Sequence, residues 1–167
     1  MITHITIITF LRSNDKMKIL DLFEKLEGIP FGKRIFTFMV CMNAPYFFSI
    51  RSQITELKKN RCEVRLKKRR SVTNHIKTVH AIAMCNMAEL SGGLMIEASL
   101  PRDKQWIPSG MTVEYLKKAE TNLIAVSDGS EIDWNQEGTI VVPVEIKDLN
   151  DQIVFRAKIN MYVKNRT

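Results

Sequence analysis

The sequence predicts an α+β fold in which a curled antiparallel sheet of about six strands wraps around one long central helix, at about residues 79–99. Two observations lead to this prediction. An uninterrupted apolar run in the middle of the chain is long enough for a helix that is buried on all sides. Six runs with the two-residue period of strands lie before and after it, and two stretches with helical period lie near the N-terminus.

The central helix is predicted from the run Val79–Leu100, VHAIAMCNMAELSGGLMIEASL, which contains two carboxylates and no Lys or Arg. A run of this length can span a bilayer. Asn86 and Glu89 near its centre and the pair Gly92–Gly93 argue against a membrane span and favour a buried helix. Thr78 is the predicted N-cap residue.

Two amphipathic helices are predicted near the N-terminus. Residues 16–27 place apolar side chains at helical spacing, and Gly28 ends this helix. Residues 31–42 form the second helix. Residues 1–16 lack the basic segment and the cleavage site of a signal peptide, so we interpret them as either a poorly ordered extension or a misassigned start. The folded domain is then residues 17–167.

The remaining runs predict strands. The stretches ITELK and RCEV form a hairpin that turns near Lys59–Asn60, and the second of them alternates apolar and charged residues. Residues 101–110 are interpreted as a loop because they contain Pro, Gly and several charges. Four strands complete the chain at Met111–Lys118, Asn122–Ile132, Gly138–Lys147 and Ile153–Val163.

Six strands can cover only one side of a helix that is apolar all round. The other side needs a further covering element, and a second copy of the chain is the simplest one. A sheet curled around one long helix is the hotdog architecture. We therefore predict a single hotdog domain that forms a homodimer or a homotetramer.

Composition and charge narrow the classes of partner without choosing among them. The chain has 167 residues, of which 45% are apolar and 26% charged, and a net charge of +7. A positive net charge is compatible with binding to nucleic acid, to an anionic membrane surface or to a phosphorylated ligand. Cys41, Cys62 and Cys85 lie among apolar residues and outside metal-ligand spacings. They predict buried free thiols, a cytoplasmic location and no metal.

Glu89 is the candidate catalytic residue. At about 100° per residue, one face of the central helix carries Ile82, Cys85, Asn86, Glu89, Gly92 and Ile96. Burial on this face should raise the pKa of Glu89, whereas hydrogen bonds would lower it again. A carboxylate in a dry pocket can act as a general base or as a nucleophile. The unpaired amides at the start of the helix, around Ala81, can hold an oxyanion.

The pattern N-x5-H-A-x6-A-E is formed by Asn74, His80, Ala81, Ala88 and Glu89. It resembles the signature N-x5-H-G-G-x5-L-A-D/E of hotdog-fold acyl-CoA thioesterases of the phenylacetate-pathway type. The resemblance covers about residues 46–165 and is closest to an uncharacterised branch described as a domain of unknown function. It implies active sites at the subunit interfaces of a dimer or tetramer. It also implies that Glu89 activates water or attacks the thioester.

The same resemblance assigns the remaining candidate catalytic residues. It implies that the Ala81 amide polarises the thioester carbonyl and that Asn74 and His80 shape the pocket. The residues alone leave other roles open. His80 could be a helix-start histidine bonded to the backbone, and Asn74 a turn or cap residue. Glu89 could be a structural carboxylate that bonds Asn86 or lies across a dimer interface.

Further residues are candidates for substrate binding. Ala81 and Ile82 stand where the family has two glycines, so Ile82 narrows or redirects the pocket, and Asn86 lies on the same predicted face. The run Lys58–Arg70 contains eight Lys or Arg. Its residues Lys67, Lys68, Arg69 and Arg70 are candidates to dock the phosphates of coenzyme A. The run could equally be a solvated strand face that discourages edge pairing.

The leading function is hydrolysis of an acyl-CoA thioester, with coenzyme A as part of the substrate and no separate cofactor. Two other classes stay open: a hotdog protein that binds an acyl-CoA or fatty acyl group without cleaving it, and a basic interaction protein. Nucleic acid is the weaker partner for the third class, because the basic run lacks aromatic residues that could stack on bases.

Overall fold

The chain forms a curled six-stranded antiparallel sheet that packs against a long helix, as the sequence predicts. The computed structural model describes residues 19–166. The strand order is β1-β2-β4-β5-β6-β3, which leaves β1 and β3 at the two edges. The strands are β1 Gln53–Lys58, β2 Arg61–Leu66, β3 Lys104–Tyr115, β4 Leu123–Asp128, β5 Gly138–Lys147 and β6 Ile153–Asn165.

Within residues 19–166, three α-helices accompany the sheet. They are α1 Ile19–Glu27, α2 Gly32–Asn43 and the central helix α3 Ala81–Ser99, with short 3-10 turns at Pro45–Ser49 and Arg70–Val72. The predicted N-terminal helices are confirmed where the structure describes them. The predicted extension at residues 1–16 lies outside the described residues, so this domain boundary stays a prediction.

The N-terminal helices pack as a pair beside the sheet. The rings of Phe23 in α1 and Phe36 in α2 meet edge to face with centroids 5.0 Å apart. The Ile54 amide of β1 donates to Thr37 Oγ1 at 3.0 Å, and Lys33 Nζ donates to the Thr55 carbonyl at 2.6 Å. These contacts hold α2 against the edge strand β1 and so position the outer wall of the site described below.

The predicted loop at residues 101–110 is wrong. Residues 104–110 form the first half of β3, which pairs with β6 along its whole length. The register shifts between Pro108 and Gly110. An edge strand tolerates Pro because the missing N–H faces away from the sheet, and a bulge absorbs the irregularity. The Pro and Gly therefore mark a bulged edge strand.

The start of the central helix also differs from the prediction. Thr78 is not the N-cap; its hydroxyl accepts from Asn74 Nδ2 at 2.8 Å. The chain is still extended at Val79, whose amide donates to the Ala119 carbonyl, and the His80 amide donates to the Val72 carbonyl, both at 2.8 Å. These tertiary bonds delay the helix to Ala81 and make His80 the N-cap.

Helix α3 is buried over most of its surface, as its apolar sequence requires. Its sheet side includes Gly92, where an added Cβ would lie 2.9 Å from Ile159 Cδ1 and 3.3 Å from Val142 Cγ1. The glycine therefore sets how closely the helix approaches β5 and β6. Among the described helices, none is long and apolar enough to cross a membrane.

Replacing Gly92 with Val should destabilise the fold, because the new methyl groups have no space against the sheet. Overpacking of this kind typically costs about 1–3 kcal/mol, which for a chain of this length lowers Tm by about 2–12 °C. Thermal unfolding followed by circular dichroism measures the change. Gly28→Ala is the control, since no atom lies within 4 Å of its added Cβ. Equal Tm values for the two variants would contradict the close packing at Gly92.

Candidate functional site

One stripe of α3 is only partly covered by the rest of the described chain. It consists of Ile82, Cys85, Glu89, Gly93 and Glu97, which succeed one another at intervals of three or four residues and so share one face. Ile82 is 55% exposed, Glu89 and Glu97 are exposed, and Cys85 and Gly93 are half-buried. We call this surface the α3 stripe. It is the side of the helix that the sequence predicted a second subunit would cover.

The face predicted from the helical wheel is divided in the structure. Ile82, Cys85 and Glu89 lie on the α3 stripe as predicted. Gly92 and Ile96 are buried, and Gly92 lies against the sheet. The face predicted from the helical wheel is wide. In the folded chain one edge of it lies on the α3 stripe, and the other edge packs inside the fold.

Glu89 is exposed, in contrast to the buried setting that the sequence predicted. No hydrogen bond or ion pair joins it to any residue of the range 19–166. The structural alternative, a bond to Asn86, is not present: Asn86 Nδ2 donates to Ser49 Oγ at 3.3 Å. Asn86 is itself buried, and its Oδ1 has no partner within the described chain. Glu89 is therefore a carboxylate without a structural partner among the described residues.

The start of α3 presents an amide and an imidazole to solvent. His80 Nδ1 accepts the Ile82 N–H at 3.1 Å, which confirms a helix-start histidine bonded to the backbone. In the neutral ring this leaves the proton on Nε2, which can donate to a ligand. No described residue accepts from the Ala81 N–H, and the positive end of the helix dipole lies here. The Ala81 amide is thus available to an anionic or polarised oxygen.

The Ala81 amide and Glu89 are too far apart to act on one carbonyl within a single chain. Eight residues separate them along α3, which corresponds to about 12 Å of helix rise. The sequence placed both groups on one helix, and the structure agrees. Their spacing means that one helix alone cannot bring them to the same reacting atom.

Asn74 organises the loop that leads into α3. Its Oδ1 accepts the amides of Ile76 and Thr78, each at 3.1 Å, and its Nδ2 donates to Thr78 Oγ1. The side chain is therefore engaged inside the loop, as the alternative of a turn residue predicted. It fixes the path of the chain three residues before the Ala81 amide is reached.

The four basic candidates divide into two pairs. Lys68 Nζ donates to the Glu120 carbonyl at 2.8 Å, and Arg69 donates to the Ile50 carbonyl at 2.6 Å. Burial lowers the pKa of the Arg69 guanidinium, and the nearby charge of Arg51 adds to the effect. Lys67 and Arg70 are exposed, and no described ion pair engages their side chains. These two cations are the ones available to a phosphate near the start of α3.

Cys85 and Tyr115 form a pair that sequence reasoning missed. Cys41 and Cys62 are buried as predicted, but Cys85 is only half-buried. Its Sγ lies 3.3 Å from the Tyr115 hydroxyl of β3. The hydrogen bond with Cys85, together with burial and the charge of Cys85, raises the pKa of Tyr115 to about 12. The pair connects the α3 stripe to the edge strand midway between Ala81 and Glu89.

An apolar groove of about 510 Å³ runs beside the second half of α3, and no sequence pattern indicated it. Its floor is formed by α3, one wall by α1, α2 and the turn that follows, and the other wall by β3. We call it the α3 groove. The residues that line it include Ile19, Leu22, Met39, Val40, Phe47, Glu89, Leu90, Gly93, Leu94, Glu97, Trp106 and Pro108. Glu89 thus lies at the edge of an apolar site.

Within residues 19–166, no three His, Cys, Asp or Glu side chains come together as a group that could hold a metal ion. We therefore assign no metal ligand in this part of the chain, and the absence of a metal stays a prediction.

Residues 32–163 match the family described as Domain of unknown function (DUF4442). The chain belongs to the DUF4442 family. The resemblance to an uncharacterised branch, drawn from the sequence, is thereby confirmed. No curated protein matches this DUF4442 chain.

Solved structures confirm the fold. The crystal structure of genomics APC5556 is 47% identical to this chain with a TM-score of 0.80, and the match covers 89% of this chain and 99% of that one. PA5026 from Pseudomonas aeruginosa, described as a protein of unknown function and probable thioesterase, is 14% identical with a TM-score of 0.68, covering 77% and 92%. Thioesterase HI1161 from Haemophilus influenzae is 14% identical with a TM-score of 0.66, covering 75% and 86%. The DUF4442 chain therefore has the hotdog fold.

Removing the Cys85 thiol should lower the pKa of Tyr115. In Cys85→Ala the phenol loses the partner that favours its protonated form, so its pKa should move from about 12 back towards the usual value for tyrosine. Ultraviolet titration of tyrosinate in wild type and variant measures the shift. Cys41→Ala, which removes a buried thiol of α2, is the control and should leave the pKa of Tyr115 high. A titration curve unchanged in Cys85→Ala would contradict the contact.

Proposed function

We propose that this protein hydrolyses acyl-CoA thioesters at sites formed between two copies of the chain. The observation that carries the proposal is Glu89, an exposed carboxylate without a partner within residues 19–166, at the edge of an apolar groove. A group that is costly to cover and is not used structurally is a candidate for chemistry. The thioesterase names of structures with the same fold support the reaction class.

The spacing along α3 supports a site that two subunits share. Glu89 and the Ala81 amide are separated by about 12 Å along one helix. Two α3 helices that run antiparallel across a two-fold axis would bring Glu89 of one protomer towards the Ala81 amide of its partner. The exposed α3 stripe and exposed Met111 of the edge strand β3, which pairs with buried Ile159 and so lies on the helix side of the sheet, provide a surface for such a pair.

In the proposed reaction Glu89 removes a proton from water as the water oxygen attacks the thioester carbonyl carbon. The carbonyl oxygen becomes an oxyanion, which the Ala81 N–H and the positive end of the helix dipole stabilise. Collapse of this intermediate breaks the carbon–sulfur bond, and the departing thiolate takes up the proton that Glu89 removed from water. The products are coenzyme A and a carboxylic acid. Direct attack of Glu89 on the carbonyl, followed by hydrolysis of the anhydride, is the alternative route.

The other predicted residues take positioning roles. His80 caps α3 through Nδ1 and can donate from Nε2 to the substrate. Asn74 holds the loop that sets the position of the Ala81 amide. Asn86 is buried and its Nδ2 donates to Ser49 Oγ, so it supports α3 from within the fold, contrary to the substrate-binding role that the sequence predicted. Ile82 stands where the family has its second glycine, and its exposed side chain limits how closely the thioester approaches the helix.

Glu89→Gln should abolish most of the turnover while the protein stays folded. Loss of a general base typically lowers the rate by about 10²–10⁴-fold, and the amide cannot accept the proton from water. Release of free thiol from a panel of acyl-CoAs measures kcat and KM. Glu131→Gln is the matched control, because it neutralises an exposed carboxylate in the loop between β4 and β5.

Three outcomes distinguish the function classes. Turnover that is lost only in Glu89→Gln supports the thioesterase. Binding of acyl-CoA without thiol release from wild type identifies a non-catalytic acyl-binding protein, with Ile82 as the residue that departs from the catalytic pattern. Indifference to acyl-CoA, together with salt-dependent binding to polyanions, identifies a basic interaction protein.

Lys67 and Arg70 are proposed to bind phosphates of coenzyme A. Lys67→Ala and Arg70→Ala should each raise KM for acyl-CoA by about 2- to 5-fold, the usual size of an exposed ionic contact, with kcat unchanged because substrate and transition state bind these cations equally. The effect should shrink at high ionic strength.

S-acyl pantetheine, which lacks the nucleotide phosphates, separates this role from damage to the site. Its KM should be the same in wild type and in both variants. Lys158→Ala, which removes an exposed cation on β6, should leave both substrates unaffected. Equal KM increases for acyl-CoA and S-acyl pantetheine would contradict phosphate binding.

A further inference from the structure

We propose that the α3 groove binds the acyl chain of the substrate, a linear saturated chain of about five carbons, and that Trp106, held by Glu97, forms its far end. The inference rests on the proposed function for the position of the thioester at Glu89. It adds a binding site and two residues that set acyl-chain length.

The groove has the size and the chemistry of a site for an apolar ligand. Its volume of about 510 Å³ lies in the range of small-molecule sites. Its walls bring together Ile19 and Leu22 of α1, Val40 of α2, Phe47 and Leu94, all apolar side chains. An alkyl chain placed there would remove both its own surface and these side chains from water.

The direction of the chain follows from where Glu89 lies. The ring of Trp106 lies over Gly93, four residues beyond Glu89 on the same face of α3. These four residues correspond to about 6 Å of helix. An extended carbon chain advances by roughly 1.25 Å per bond, given a bond length of about 1.5 Å. About five carbons therefore reach from the thioester to the indole.

Trp106 is fixed at the far end by two contacts. Its Nε1 donates to Glu97 Oε2 at 2.7 Å. Its ring lies over Gly93, where an added Cβ would be 3.2 Å from Trp106 Cη2. The glycine allows the indole to lie directly on the helix, and the carboxylate fixes its orientation. The ring thus connects β3 to the last turns of α3 and forms an end wall of the groove.

The charges around the groove favour a neutral ligand. Glu89 and Glu97 line it, and no Lys or Arg is among the described residues that do so. A free fatty acid would place its carboxylate beside Glu89 without a counter-charge, which is unfavourable. An acyl thioester places a neutral carbonyl there. The same repulsion should help the acid product leave after hydrolysis.

An acyl chain is also a better occupant than a segment of a second copy. A protein segment lying along the groove floor would cover Glu89 and leave an unpaired buried carboxylate. A thioester instead places its reacting carbon at that carboxylate. The partner subunit can then close the open side over the ligand.

Binding of non-hydrolysable acyl-CoA thioethers tests the proposal without requiring turnover. Isothermal titration is performed with saturated chains from two to sixteen carbons. For wild type, affinity should rise by about fourfold per methylene until about five carbons and then stop rising. Pentanoic acid should bind far more weakly than the pentyl thioether of coenzyme A.

Variants of the end wall should move the limit in chain length. Trp106→Ala should let affinity rise for at least two more carbons, which at about fourfold per methylene is a gain of more than tenfold for a chain of about seven carbons relative to wild type. Glu97→Ala should have the same effect, because the indole loses its anchor. Glu97→Gln retains an acceptor for Nε1 and should restore the wild-type limit. Tyr162→Ala, which removes an exposed aromatic ring from β6, is the control.

The outcomes separate this inference from the proposed function. An identical length limit in wild type, Trp106→Ala and Glu97→Ala, each verified as folded by thermal unfolding, would overturn the inference. Affinity that does not depend on chain length in wild type would also overturn it. A length limit that moves as expected supports the acyl groove even if no acyl-CoA is hydrolysed, in which case only the proposed hydrolysis fails. If Trp106→Ala does not fold, Glu97→Ala and Glu97→Gln decide.

Discussion

The need to cover an apolar helix on all sides governs this structure. Helix α3 carries two carboxylates and no Lys or Arg, so water is a poor neighbour for most of its surface. The curled sheet covers one side of it. Helices α1 and α2, fixed to β1 by the Thr37 and Lys33 bonds, cover part of another. The remaining stripe contains both carboxylates, Glu89 and Glu97, which are the residues of the helix that are most costly to bury unpaired.

Local sequence patterns predicted the elements well where local forces decide. The hairpin of β1 and β2 turns at Asn60, which has a positive φ of 66° that asparagine tolerates. Strand β5 has the predicted bounds, Gly138–Lys147, because its alternation of buried and exposed residues is regular. The errors lie where tertiary bonds decide. Residues 104–110 have the composition of a loop, yet pairing with β6 makes them a strand. Thr78 has the character of a cap, yet its hydroxyl is used by Asn74.

The candidate site was predictable in part, for the same reason. The sequence identified Glu89, the Ala81 amide and the N-terminal position of His80, because these follow from helical spacing and from helix ends. The sequence could not show which residues of the predicted helix face are exposed and which are buried, because the burial of Gly92 depends on its contacts with β5 and β6. It could not indicate the α3 groove either. Ile19, Phe47, Leu90 and Trp106 come from four distant segments, and only the folded chain places them around one space.

The α3 stripe is both the part of the helix that packing within the single chain leaves exposed and the location of the proposed catalytic groups. An oxyanion donor at the start of α3 and a carboxylate about 12 Å further along cannot meet on one carbonyl unless a second helix runs in the opposite direction. The surface that lacks a cover in the single chain is the surface that such a helix would occupy. Association would then remove exposed apolar residues of the stripe, such as Ile82, from water and bring Glu89 to an amide donor in the same step. A pair of antiparallel helices would form two such sites, each with its own groove for an acyl chain extending away from the shared centre towards Trp106. On this view Glu89 has no partner in the part of the chain that the structure describes because its partner is the substrate.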